Sequence, residues 1–238
     1  MVQDTAPFVD GLFNRRVLDE GILRLQGALG GDSTICRAAR VSNGVFDDKS
    51  PEQDQKLINY LIRHCHGTPF EHSTYMFYVK CPLFVRSEWM RHRMASYNEI
   101  SGRYVKYEPE FYIPDRWRVK AATNKQGSVF PEGEDIGEWD KSLSEVLENT
   151  VKEAYRSYEY LLECGVAKEM ARMVLPANLY TQFYFTINAR GLMNFLSLRN
   201  SDDAQWEIQQ YAKAIEDIFE NMLPQTYKAW VANERVAP

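Results

Sequence analysis

Across residues 140–164, Leu143, Leu147, Val151, Ala154, Tyr158 and Leu161 fall on one helical stripe, and Gly165 follows where such a helix stops. A second stripe, made by Ala204, Ile208, Tyr211, Ile215, Ile218 and Met222, predicts another long helix over residues 201–222. A helix with one apolar face must bury that face, so these segments demand a layered domain with a second surface to pack on. The first half of the chain is expected to supply it. Residues 17–29 are rich in branched side chains and predict a strand, and the aromatic stretch 73–80 predicts another. Residues 32–41 read as a short helix capped by Asp32 or Ser33. Ser50-Pro51-Glu52-Gln53 is a capping box with proline at the first helical position. Leu57, Ile58, Leu61, Ile62 and Cys65 then mark the buried face of a helix that Gly67-Thr68-Pro69 ends. Pro82 opens a helix running towards Arg91, and residues 95–102 read as a polar loop or turn. Residues 117–138 follow neither period and predict a surface insertion. Strands early, helices late and no internal repeat predict one α+β domain over 1–238, with a central, mostly antiparallel sheet.

Composition removes several function classes. A formal charge of −5 argues against a general nucleic-acid binder, so any anion site has to be a local concentration of arginines. No apolar run reaches the length of a membrane span, and residues 1–14 lack the basic start and apolar stretch of a signal peptide, so a cytoplasmic protein is expected. The four cysteines, Cys36, Cys65, Cys81 and Cys164, are far apart and predict reduced, buried thiols. His64, His66 and His72 have spacing seen in metal sites, but no further Cys or His completes a set, and no metal is expected.

The densest chemical signal runs from Arg91 to Tyr104. Arg91, His92, Arg93, Glu99, Ser101, Gly102 and Arg103 concentrate guanidinium forks, a carboxylate and a backbone stretch that lets amides approach an anion. Trp89, Tyr97 and Tyr104 adjoin it as candidate borders for a ring-shaped ligand, although the first two are more often packing residues. Such a cluster on its own is more often a solvated, ion-paired loop.

Arg91-His92-Arg93, seven residues, then Ser101, continued through Tyr97-Asn98-Glu99 and Ser101-Gly102-Arg103-Tyr104, resembles the signature of the flavin-dependent thymidylate synthases. Blocks at Ala39-Arg40-Val41-Ser42, Thr68-Pro69-Phe70-Glu71-His72, Ala171 to Pro176, Asn188 to Arg199 and Ala204 to Ile208 resemble that family in the same order. The resemblance implies reductive methylation of dUMP to dTMP, with FAD as cofactor and NADPH and 5,10-methylenetetrahydrofolate as co-substrates. It also implies a homotetramer with active sites shared between subunits.

By the same resemblance, Arg91, His92, Arg93 and Glu99 line the FAD and nucleotide sites. Thr68, Asn188, Arg190 and Asn194 contact FAD, His66 lies near the flavin, and Ser42 sits in a block close to it. Glu88 and Arg91, then Glu99, Ile100, Ser101, Gly102 and Arg103, form the walls of the dUMP site, with Arg172 as a further nucleotide-binding arginine. Arg199 matches the arginine that activates the uracil ring. Many relatives carry Gln where this chain has Glu88, and some carry His at Asp203, to which no role is given. The assignment suits the chemistry. Carbon five of uracil is a poor nucleophile until the ring gains electron density, and a guanidinium stabilises the negative charge that develops. Arginine stays protonated, so Arg199 acts as an electrostatic stabiliser and not as a base.

The residues alone leave other readings open. Arg190 and Asn194 share a helix face, whereas Arg199, nine positions beyond Arg190, points to the opposite side, so either the helix ends first or the two arginines serve different sites. Glu88, Glu99 and Arg103 also suit an internal salt-bridge network with the other arginines. A flavoprotein reductase without methylation, and a non-catalytic nucleotide-binding module, are the alternatives. Bound flavin separates the latter, and tritium release from carbon five of dUMP separates the former.

Overall fold

In the computed structural model, which describes residues 13–122, 127–133 and 136–238, the strand expected at 17–29 is one arm of a hairpin. Strands β1 (Asn14–Val17) and β2 (Gly21–Leu29) pair antiparallel across a turn in which Leu18 takes a φ of 61°. Gly21 is required there, because a Cβ would lie 2.0 Å from the Tyr211 hydroxyl and 2.3 Å from Val17 O. Helix α1 (Asp32–Val41) has the expected span, but Gly31 occupies its cap position. The Asp32 carboxylate instead accepts from Gln225 N at 2.8 Å, Thr226 N at 3.0 Å and Thr226 Oγ1 at 2.6 Å, so it satisfies the start of the last helix. Helix α2 (Pro51–Arg63) carries the Ser50–Gln53 capping box as expected. It stops short of Gly67, because Cys65 turns the chain at φ 56° and is exposed instead of joining the buried face.

A 3₁₀ turn (Thr68–His72) leads into β3 (Thr74–Pro82) and α3 (Leu83–Trp89). The polar loop expected at 95–102 is overturned, since it begins with strand β4 (Ala95–Glu99), in which half-buried Ala95, Tyr97 and Glu99 alternate with exposed Ser96 and Asn98. Tyr97 holds that register by stacking on Phe185 at 5.3 Å and donating its hydroxyl to His92 O at 2.9 Å. Within 117–138 the described residues include a short ribbon of β5 (Val119–Lys120) and β6 (Ser128–Val129). Arg118 beside it donates to both carboxylate oxygens of buried Glu207 at 2.7 and 2.8 Å.

Helix α4 (Ile136–Glu163) contains the first predicted stripe, but only Val151 and Tyr158 of that stripe are buried. Its aromatic residues pack on the 107–111 segment, with Tyr155 donating to Tyr107 O at 2.9 Å, and not on the central core. After Gly165, at φ 80°, come α5 (Lys168–Ala171), a 3₁₀ turn (Arg172–Val174), β7 (Tyr180–Asn188) and α6 (Ala189–Arg199). Helix α7 (Trp206–Met222) starts later than the expected residue 201. The Gln209 side chain ties up the carbonyls of Ser201 and Ala204 and leaves 201–205 as a turn. Helix α8 (Pro224–Ala232) completes the chain's elements.

The five-stranded sheet has the order β1-β2-β3-β7-β4, every neighbouring pair antiparallel, as the α+β reading expected. Trp89, at the end of α3, is the centre of the core, with Phe183, Phe185, Phe195 and Tyr211 at ring distances of 5.1 to 5.6 Å. Truncating a tryptophan buried this way costs about 3–5 kcal/mol. The packing fixes both ends of the Arg91–Arg93 segment: Trp89 anchors one, and β4 carries the other along β7. Among the described residues, no helix is long and apolar enough to cross a membrane.

Candidate active site

Arg91, His92 and Arg93 occupy the short connection between α3 and β4, where the chain leaves the core and re-enters the sheet edge. With Asn194, Leu198 and Arg199 from α6 they line a cavity of about 280 Å³. Arg91 and Arg93 are exposed, and among the described residues neither has a carboxylate within ion-pair distance. Two guanidiniums without a carboxylate partner among the described residues are able to take an anion. A larger hollow of about 460 Å³, bordered by Arg15, Tyr112 and Trp206, contains none of the residues assigned from sequence.

Arg199 is held from three directions. Its Nε donates to His92 Nε2 at 2.9 Å, its Nη1 to Glu88 Oε2 at 2.8 Å, and its Nη2 to Glu88 O at 3.0 Å. Because His92 Nε2 accepts, the imidazole carries its proton on Nδ1 and is neutral. Burial, reinforced by the Arg199 charge, lowers its pKa to about 4 from the ordinary 6.5. Between those values the unfolded chain binds a proton that the folded chain excludes, so the stability is full above pH 6.5 and declines as pH falls towards 4. A shift of this size corresponds to about 3 kcal/mol. Thermal melts across this range are expected to show a shallower decline in His92→Gln, which keeps an acceptor for Arg199. Parallel curves for the two proteins would refute the assignment.

Helix α6 runs unbroken through Arg199, so the two arginines serve different surroundings. Arg190 Nη1 donates to Glu71 Oε1 at 2.7 Å and its Nε to Pro238 O at 2.6 Å. It lies against Gly67, where a Cβ would come within 2.5 Å of Nε, so the turn bearing His66 and Thr68 is brought directly beside Arg190. Asn188 caps α6, its Oδ1 accepting from Gly191 N at 2.9 Å. His66 stacks on Tyr60 at 5.9 Å. Asn194 borders the Arg199 cavity, so the face it was expected to share with Arg190 is divided between two environments. Ser42, one residue beyond α1, donates to Ala39 O at 2.9 Å and does not line the cavity.

A third group lies at the other end of β4. Glu99 is the last residue of that strand, and Ile100 N donates to Gln182 O at 2.9 Å. Ser101 O then accepts from Tyr104 N at 2.9 Å and Val105 N at 3.0 Å, closing a turn that carries Gly102 and Arg103. A Cβ on Gly102 would meet the Tyr107 ring at 2.4 Å. Arg103 pairs with Glu169 at 2.8 Å, and exposed Arg172 donates to Glu169 O at 3.4 Å, which brings these two arginines to one place. Glu88 and Glu99 do pair with other arginines, as the expected network had it, but the ion pairs are three separate ones: Glu88–Arg199, Glu99–Arg86 and Arg103–Glu169. Arg86 had no sequence signal, and Glu71, noted in the sequence only as an acid near the histidines, is the partner of Arg190.

The expected aromatic borders do not all serve. Trp89 is fully buried and Tyr97 is packed, leaving only Tyr104 exposed beside Arg103, whose guanidinium lies 5.9 Å from its ring. Of the cysteines, Cys36 and Cys81 are buried as expected, while Cys65 and Cys164 are exposed. Burial, with Asp54 nearby, pushes the Cys36 thiol up to about 12, and burial raises Cys81 as well, so neither is a thiolate at neutral pH.

A family model described as thymidylate synthase complementing protein matches residues 24–225. The flavin-dependent thymidylate synthase of Thermosipho africanus is 48% identical over 216 residues, covering 91% of this chain and 93% of that protein. That of Thermus thermophilus is 47% identical over 226 residues, covering 95% and 80%. Among solved structures, the UMP/dUMP methylase PolB from Streptomyces cacaoi bound with 5-Br dUMP superposes with a TM-score of 0.85 at 31% identity, over 94% of this chain and all of that one. Its complex with 5-Br UMP gives 0.83 at 33% identity, over 94% and 99%.

Proposed function

This chain belongs to the flavin-dependent thymidylate synthase family, and from that membership and the site's geometry we propose that it methylates dUMP to dTMP in the cytoplasm. The single observation that carries the reading is the cavity where Arg91, Arg93 and the anchored Arg199 converge. Arg91 and Arg93, without a carboxylate partner among the described residues, are open to phosphate groups, and Arg199 is a fixed guanidinium for a ring. The solved relatives bound with 5-bromo pyrimidine mononucleotides support a substrate of that class.

The residues present fit a flavin dinucleotide. Arg190 stands in a glycine-made recess at Gly67, next to exposed Thr68 and His66, and Arg91 and Arg93 have no carboxylate partner among the described residues. These would hold FAD, with Asn188 and Asn194 beside them. When bound and reduced by NADPH, FAD supplies the hydride, and 5,10-methylenetetrahydrofolate supplies the carbon. The chain's own work is orientation and electrostatics. Arg199 faces the uracil ring and stabilises its developing negative charge, while neutral His92 and Glu88 hold the guanidinium in place. The Ile100–Arg103 turn and Arg172 take the remaining nucleotide contacts. The active unit is a homotetramer. Half-buried α4, with Val146 and Tyr160 exposed, and exposed Met170 and Met173 beside it, supports association through that side.

Purified protein supplied with dUMP, methylenetetrahydrofolate and NADPH is expected to form dTMP and release tritium from carbon five. A variant with all four cysteines replaced, once shown to be folded and yellow, is expected to do the same. No dTMP from the anaerobic, reduced, flavin-loaded wild-type protein would sink the function. Loss of turnover in the cysteine variant with flavin retained would sink the cysteine-free mechanism.

A further inference from the structure

Helix α3 sends two charged side chains in opposite directions. Glu88 holds Arg199 at the cavity, and Arg86 reaches Glu99 at the far end of β4. Arg86 Nε donates to Glu99 Oε2 at 2.9 Å, and Nη2 donates to the same oxygen. The other oxygen, Oε1, accepts from the hydroxyl of fully buried Thr181 at 2.7 Å. Both oxygens of Glu99 are therefore committed within the chain, and its side chain is only 19% exposed. A carboxylate so occupied is a poor direct ligand for an anionic nucleotide or a dinucleotide. Its position is nevertheless critical, since Glu99 is the last strand residue before the turn through Ser101, Gly102 and Arg103.

Resting on the nucleotide reading given above, we propose that Arg86, together with Thr181, is a positioning residue for the nucleotide. The clamp fixes the exit of β4, and so the direction in which the turn presents its amides and Arg103. It also cancels a negative charge that would otherwise stand beside an incoming phosphate. The two effects come from different parts of the interaction and can be separated. Arginine contributes two donors in a planar fork, which lysine lacks, whereas either residue contributes the charge.

Titrating dUMP into flavin-loaded protein and measuring steady-state kinetics tests the clamp. Arg86→Ala is expected to weaken dUMP binding and raise its KM by about tenfold or more, the effect of freeing one charge beside a bound anion. Turnover at saturating dUMP and the flavin spectrum should change little. Arg86→Lys is expected to fall between wild type and Arg86→Ala. Adding Glu99→Gln to Arg86→Ala should recover much of the lost affinity, because the uncompensated charge is gone; a merely structural role for Arg86 predicts no recovery. Thr181→Val, which removes one donor and little volume, should weaken binding by a smaller factor and serves if Arg86→Ala does not fold. If wild-type protein binds no dUMP, the proposed function fails and takes the clamp with it. If wild type binds and both Arg86→Ala and Thr181→Val bind equally well, or the double variant sums the single losses, the clamp alone is overturned.

Discussion

Arg199→Ala is expected to lower dTMP turnover by about a hundredfold or more while the protein keeps its flavin, whereas Arg190→Ala is expected to lose flavin first. The two arginines share a helix but not a neighbourhood. Arg199 is gripped by His92 and Glu88 at the cavity, and Arg190 by Glu71 and Pro238 O against Gly67. Removing Arg199 deletes a preorganised charge from the place where charge develops in the ring. The reorganisation that would replace it in water has no counterpart in a site where the partners are already fixed. Arg199→Lys is expected to recover only part of the rate, since an ammonium cannot satisfy His92 and the Glu88 carboxylate and carbonyl while facing the ring. Flavin content read from the visible spectrum, alongside single-turnover dTMP formation, separates the two roles. Equal flavin loss in Arg199→Ala and Arg190→Ala would refute the division.

Chains carrying Arg172→Ala and chains carrying Arg199→Ala, each inactive alone, are expected to regain activity in part when assembled together. The reason is the placement of the two residues along β4. Arg199 sits with His92 just before Ala95, which pairs with Ile187, and Arg172 sits with Arg103 just after Glu99, which pairs with Phe183. At about 3.4 Å per residue, the strand between these points is roughly 14 Å long. On the proposed homotetramer with shared sites, a nucleotide that meets both arginines draws them from two copies of the chain. In a mixed pair with shared sites, one site inherits both defects and the other inherits neither. If both arginines instead serve a site within one chain, every site keeps one defect. Purification through two different tags isolates the hybrid, and a flavin-loaded hybrid with no more activity than its parents would exclude sharing of these two residues.

The residue types between Arg91 and Tyr104 offered only a candidate anion site, and the role of each residue came from the family resemblance. Arg91, His92, Arg93 and Arg199 were singled out through that resemblance, and the fold brings all of them to one cavity. What escaped was the set of partners. Arg86 stands thirteen residues before Glu99 and Thr181 eighty-two after it, so no local spacing links them. The strand at Ala95–Glu99 escaped for a related reason. Its side chains are mostly polar, and the contacts of Tyr97 with Phe183 and Phe185 reveal which face is inward.

Periodicity and capping are local, and the sequence by itself determined what rests on them: the Ser50 capping box, the span of α1, the core stripe of α7, and the α+β class, though not the late strand β7 between α5 and α6. Side-chain composition likewise determined that any anion site on this acidic chain had to be built from clustered arginines. Only the tertiary structure decided where those charges are spent. Asp32 serves a distant helix instead of its own, the α4 stripe remains half-buried outside the core, and each acid near the site belongs to a different arginine. Such choices depend on which elements the antiparallel sheet sets side by side. Hydrogen bonds and ion pairs act over a few ångströms of space, whatever the separation along the chain.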